Sequence, residues 1–333
     1  MKHFAAALLL AALNAAAQTG DGHPDLQGIW TNGTVTPLER PADLAGKEFF
    51  TEQEAAAYEK QTVAARDSDH RGKTAELDLQ FAYNNRWYDW GSKVVKTRRT
   101  SIIIDPPDGK IPALTPKAQE ARRALAASRF KPPAGPEDIG LAERCIVFPT
   151  GGPPMLPYAY NNNYQIIQVP GYVVILVEMV HQVRMIPLDG RPHVGPAVRQ
   201  WLGDSRGRWE GKTLVVDTTN FNGKTRFGFL YDGLTDENYH LTERFTRTDA
   251  DTILYQFTVD DPTVYVRPFT GELTLSKTQG RIYEYACHEG NYGMVGMLAG
   301  ARADEKKAAG RRTQGKSASR AANVRERFCS AAR

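Results

Sequence analysis

The chain reads as mainly β: an antiparallel lipocalin/calycin-like barrel, preceded by an N-terminal segment containing two helices. Three observations lead there. From about Tyr158 onward, strand-length runs succeed one another at roughly 8–12-residue spacing, broken by Pro170-Gly171, Asp189-Gly190, Glu210-Gly211 and Gln279-Gly280. No helical period interrupts them. Their apolar residues alternate with polar ones, as in antiparallel strands with one solvated face, and a meander of this length removes its own edges by closing. No internal repeat is present, which disfavours a propeller.

The elements follow in order. Residues 1–17, "MKHFAAALLLAALNAAA", have Lys2 and His3, an apolar stretch and an A-x-A site, the three marks of a secretory leader. The mature chain then starts at Gln18, in the periplasm or outside the cell. Residues 18–135 form a mixed segment packed on the barrel. "DLQGIWTNG" is a short strand anchored by Trp30. "TEQEAAAYEKQTVAARD" is a helix with Thr51 as N-cap and Glu54 closing a capping box. "FAYNNRWYDWGS" is an aromatic packed loop, and "SIIIDPP" is a strand stopped by prolines. Thr115-Pro116 opens a second helix, with proline at the first helical position. Residues 136–299 hold the barrel, and its last expected strand is "GRIYEYACHEGNY".

Charge is unevenly placed. The chain of 333 residues carries a net +4, but the stretch 300–333 has ten Lys/Arg against three Asp/Glu, so the rest is −3. A tail this basic and this poor in large apolar residues gains too little burial to offset chain entropy, and it reads as disordered. Its one charge-based partner is an anionic membrane surface, through weak contact. No basic stripe marks the core, so nucleic acid is not a partner. Among Cys145, Cys287 and Cys329, the pair Cys145–Cys287 is the expected disulfide in an oxidising compartment. A nucleophilic Cys287 beside His288, or two inert thiols, are the alternatives.

Ionisable groups inside apolar strands mark the site. "VVILVEMVHQVRMIPLDGRPH" begins as a buried strand and then presents Glu178, His181 and Arg184. A buried carboxylate must be paired or protonated. In "YHLTERFTRTD", alternation puts Glu243 between Leu241 and Phe245 on the apolar face and His240 on the other. A structural ion pair with Arg199 or Arg267 is the competing role for Glu243. At the end of the expected last strand, His288, Asn291 and Tyr292 cluster before a glycine. Glu178, His181, Glu243 and His288 are the catalytic candidates, the carboxylates as bases and the imidazoles as proton donors. Tyr160, Asn161, Asn162 and Tyr164 of "YAYNNNYQI", with Arg184, Arg199, Trp201, His240, Asn291 and Tyr292, are the substrate-binding candidates, offering donors, acceptors and flat apolar faces. The Asn run suits a tight left-handed loop equally well. "GDSRGRWEG" reads as a turn block capped by Asp204. Ser205 there is no nucleophile elbow, because a strand and not a helix follows it.

His181, His240 and His288 sit on separate strands without H-x-H or H-E-x-x-H spacing, so no metal is expected. No glycine-rich phosphate loop is present, so no cofactor is expected either. The phrases "ERCIVFPTGGPPMLP", "YNNNYQI", "EMVHQVRMIPLDGRPH", "WLGDSRGRWEGKTLVVDTTNF" and "EYACHEGNY" resemble a large family of uncharacterised secreted bacterial proteins. The resemblance runs from about Leu26 to Arg302 and implies no activity for any residue. The functional expectation is an extracytoplasmic enzyme, a lyase, isomerase or hydrolase, acting by general acid–base chemistry on a small oxygenated, partly apolar molecule. A non-catalytic carrier for such a molecule and an envelope-associated structural protein are the alternatives.

Overall fold

The computed structural model describes residues 19, 22–69, 74, 76, 85–128, 131–148, 151–224 and 234–330, with side chains to 311. The leader lies outside the described residues. The chain divides into two compact units, Met1–Ala124 with Val147–Tyr285, and Leu125–Ile146 with Ala286–Arg333.

The first unit is a nearly closed antiparallel barrel. Its strands are β1 (Gly28–Thr31), β2 (Ile103–Asp105), β3 (Asn163–Val169), β4 (Tyr172–Val177), β5 (Val183–Pro187), β6 (Asp204–Glu210), β7 (Thr213–Thr219), β8 (His240–Asp249), β9 (Thr252–Asp260) and β10 (Phe269–Lys277). Around the sheet the order is β5-β4-β3-β1-β10-β9-β8-β7-β6, with β2 paired to β10 off this path. Two meanders, β3–β5 and β6–β10, are therefore joined through β1, which pairs with β3 on one side and β10 on the other. The N-terminal segment does more than pack on the barrel: it supplies one of its staves. Trp30 explains why β1 is held there. It is fully buried and donates its indole N–H to Leu26 O at 2.9 Å.

At the other seam, β5 and β6 approach without a ladder. A Cβ on Gly207 of β6 would lie 2.8 Å from the Ile186 side chain of β5, so the glycine is what lets this seam close. The interior is filled. Phe245, Tyr255 and Phe257 pack as tilted rings along β8 and β9, with ring centroids 4.9 and 5.9 Å apart. Phe257 lies directly over Gly271, its partner on β10, where a Cβ would come within 2.2 Å of the ring.

Helix α1 (Glu52–Ala65) has the expected capping box. Thr51 Oγ1 accepts from Glu54 N at 3.3 Å, and the Glu54 carboxylate accepts from Thr51 N at 2.8 Å. Helix α2 (Pro116–Ser128) begins after Thr115, whose hydroxyl accepts from Ala118 N.

Three expectations change. "DSRGRWE" is strand β6 rather than part of a turn block, because each of its residues finds a partner on β7. The run 280–287 forms no strand. Its backbone N–H groups turn to side chains instead, as described below. The basic tail, read as disordered, belongs to helix α3 (Tyr292–Ser330), in the second unit. That unit also holds the disulfide Cys145–Cys287, with Sγ–Sγ 2.02 Å. No described helix is long and apolar enough to cross a membrane.

Candidate functional site

Alternation along β8 buries Leu241, Glu243 and Phe245 and turns His240 and Thr242 outward. The two faces carry two different polar constructions.

Inside the barrel, Glu243 meets Arg184 of β5. Arg184 Nη1 donates to Glu243 Oε1 at 3.0 Å and Nη2 to Oε2 at 2.5 Å, a fork-to-fork pair with both side chains at or below 2% exposure. Tyr255 Oη donates to Glu243 Oε1 at 2.7 Å. Burial, and next the Glu243 charge, push the Tyr255 phenol well up, so it stays a donor. Ser205 and Thr218 complete the net beyond Arg184, and Tyr164 takes a hydrogen bond from Asn32 Nδ2. Arg184 Nε, Tyr239 Oη and Asn32 Oδ1 are buried without a hydrogen-bond partner among the described residues. Arg184 and Glu243 thus neutralise each other. The expected partners of Glu243 lie elsewhere: Arg199 donates to Phe221 O and Glu237 O, and Arg267 pairs with Asp105. Glu243 is fully buried as the ion-pair partner of Arg184, and the Arg184 guanidinium is engaged by it.

Glu178 and His181 do converge, on a stretch of backbone. Glu178 is buried beyond the end of β4. Its carboxylate accepts from Asn163 Nδ2 at 2.7 Å and from Tyr283 N at 3.2 Å. His181 Nε2 accepts from Tyr285 N at 2.7 Å. The pair clasps the segment that fails to become a strand. Val180 and His181 both have positive φ, 59° and 48°. For a β-branched residue this is a strained conformation, and it turns the chain sharply enough to place both acceptors. Asp89, near Glu178, has its carboxyl raised by partial burial and then by the Glu178 charge.

The loop candidates are largely architectural. Asn161 takes the left-handed turn at φ 54°. Asn162, buried, accepts from Tyr158 N at 2.7 Å and donates to Tyr158 O and Asp89 O. Tyr160 meets Tyr158 edge-on, Tyr164 points into the barrel, and Trp201 is half-buried in the turn before β6. His288, Asn291 and Tyr292 belong to the second unit. There His288 is exposed, Asn291 Nδ2 donates to Glu143 O at 2.8 Å, and Tyr292, 82% exposed, opens α3.

On the outer face of β6, β7 and β8 a chain of alternating carboxylates and imidazoles has formed. His193, in the β5–β6 loop, places Nδ1 3.0 Å from Asp204 Oδ2 and Nε2 2.9 Å from Asp217 Oδ1. The other Asp217 oxygen lies 2.6 Å from His240 Nε2. Asp204 also accepts from Val194 N at 3.0 Å and Arg206 Nη1 at 2.6 Å. The His240 bond lowers the Asp217 carboxyl, with burial opposing and His193 adding to the effect. The same bond raises His240. His240 has 41% of its side chain exposed, and its Nδ1 makes no hydrogen bond among the described residues. Its free edge therefore reaches solvent while its other edge is fixed.

Of this chain, the sequence had marked only His240, as a binding residue. His193 lies in an aperiodic loop, and Asp204 read as a turn cap. The available signal was Asp217: an acid in "TLVVDTT", on the polar face of a strand-length run. Among the described residues no three His, Cys, Asp or Glu side chains are grouped to hold a metal ion. No protein-family model, curated protein or solved structure matches the chain.

Proposed function

We propose that the protein is an extracytoplasmic enzyme that works by general acid–base chemistry, with His240 as the group that exchanges a proton with substrate. The carrying observation is the unbroken chain Asp204–His193–Asp217–His240, ending in an imidazole nitrogen open to solvent. Asp217 fixes the ring and favours its charged form, so His240 acts first as the acid. The His193–Asp204 pair holds the second Asp217 oxygen, so the orienting carboxylate does not rotate away. A lyase, isomerase or hydrolase acting on a small oxygenated molecule fits this equipment. A carrier of the lipocalin kind needs an open lumen, and here buried aromatic rings and an ion pair occupy the barrel. The leader-like N-terminus and the disulfide support the extracytoplasmic setting, and the basic stretch after Gly300 supports at most weak contact with an anionic surface.

The test is turnover by the purified mature protein on a panel of esters, lactones and β-hydroxy acids, repeated with His240→Gln and Asp217→Asn. Loss of about 10²–10⁴-fold in kcat is expected for His240→Gln. Unchanged turnover in that variant would reject the assignment.

A further inference from the structure

A second site shares no residue with the His240 chain. In the barrel-bearing unit, a cavity of about 110 Å³ lies between the stretch after β1 and the stretch before β3. Leu38, Ile102 and Leu156, all buried, give it apolar walls. Trp90 and Tyr158 add flat faces, with ring centroids 6.5 Å apart. Arg66 lies over the Trp90 ring at 5.0 Å.

The polar lining comes from Thr34, Thr36 and the Arg66 side chain. Thr36 lines the cavity and is only 4% exposed. Its Oγ1 accepts from Val95 N at 3.0 Å, and its hydroxyl proton goes to no described group. Thr34, its neighbour in the lining, is already satisfied: its hydroxyl donates to Lys93 O and accepts from Thr36 N. The Thr36 hydroxyl thus offers a buried donor to a cavity whose lining combines aliphatic and aromatic faces with the Arg66 guanidinium. A buried donor left unsatisfied is costly, so an acceptor oxygen delivered there is strongly favoured.

We propose that this cavity binds a small planar molecule with a conjugated carbonyl, its ring against Trp90 and Tyr158 and its oxygen on the Thr36 hydroxyl. Size sets the class. A closed cavity of about 150 Å³ takes a benzene ring, and this one, at about 110 Å³, is smaller, so a single small ring is only partly enclosed.

The probe pair is 4-pyranone, planar and a strong acceptor, and tetrahydro-4-pyranone, the same skeleton puckered. Ligand-observed NMR titration of the full mature chain should give saturable 4-pyranone binding with Kd of about 1 mM or tighter. The puckered ketone should bind about tenfold more weakly, and Thr36→Val and Trp90→Leu should each weaken 4-pyranone about tenfold. Trp90 is half-buried where Thr36 is almost fully buried, so its variant keeps the test intact if Thr36→Val does not fold. Absence of saturable binding, or equal affinity in wild type and Trp90→Leu, would overturn the proposal.

Discussion

At the residue scale, two ionic arrangements with opposite exposure predict opposite behaviour. The bond between His240 and Asp217 is half-exposed and titrates. His240 is raised above 6.5, so its contribution to stability is complete below that value and is lost as pH rises through the raised native value. Asp217 is lowered below 3.8, so its contribution is complete above that value and is lost as pH falls through the depressed one. The Tm difference between wild type and His240→Gln should therefore be widest from pH 4 to 6.5, and narrow on both sides. In parallel, the NMR titration midpoint of His240 should fall in Asp217→Asn. A midpoint that does not move would show that the carboxylate is not what raises it. The Arg184–Glu243 pair is sealed from solvent, and removing one partner strands a charge. Glu243→Gln should cost about 3–5 kcal/mol in urea unfolding, and a double replacement by apolar residues of similar size clearly less. Much of this was legible: alternation alone put Glu243 on the buried face. Its partner was not, because Arg184 is close only once β5 and β8 come together across a barrel, and no local pattern encodes that distance.

At the element scale, closure depends on positions where a side chain is missing. Gly271 accommodates the Phe257 ring, which comes within 2.2 Å of where a Cβ would sit. Gly271→Ala must tilt that ring into Tyr255 or push β10 from β9, and overpacking of this kind costs about 1–3 kcal/mol. A measured Tm equal to wild type would mean the ring has free room that the packing does not show. Most of the strands were readable, since period-2 alternation and turn dipeptides name them directly, but β6, rich in Gly, Asp and Ser, passed for a turn. The run 280–287 deceived for a physical reason. It has strand composition, but its Tyr283 and Tyr285 N–H groups are taken by Glu178 and His181. Side chains thus substitute for a neighbouring strand, and nothing in the run itself reports this. His193 escaped notice for the complementary reason: its loop has no period, and its two carboxylates come from strands that follow it.

At the scale of the whole molecule, the disulfide joins residues 142 positions apart, and both cysteines belong to the second unit. The loop it closes nevertheless contains β3 through β10, the greater part of the barrel. A cross-link of this span acts mainly on the unfolded chain. Closing a loop so long removes entropy equivalent to about 5 kcal/mol, on the chain-entropy argument. The barrel should feel that loss although neither cysteine lies in it. Cys145→Ser with Cys287→Ser should lower the near-UV circular-dichroism transition of the barrel aromatics by roughly 10 °C. If only a separate, earlier transition shifts and the aromatic signal melts where it did before, the bond acts locally in the second unit, and restriction of the unfolded barrel is not its contribution.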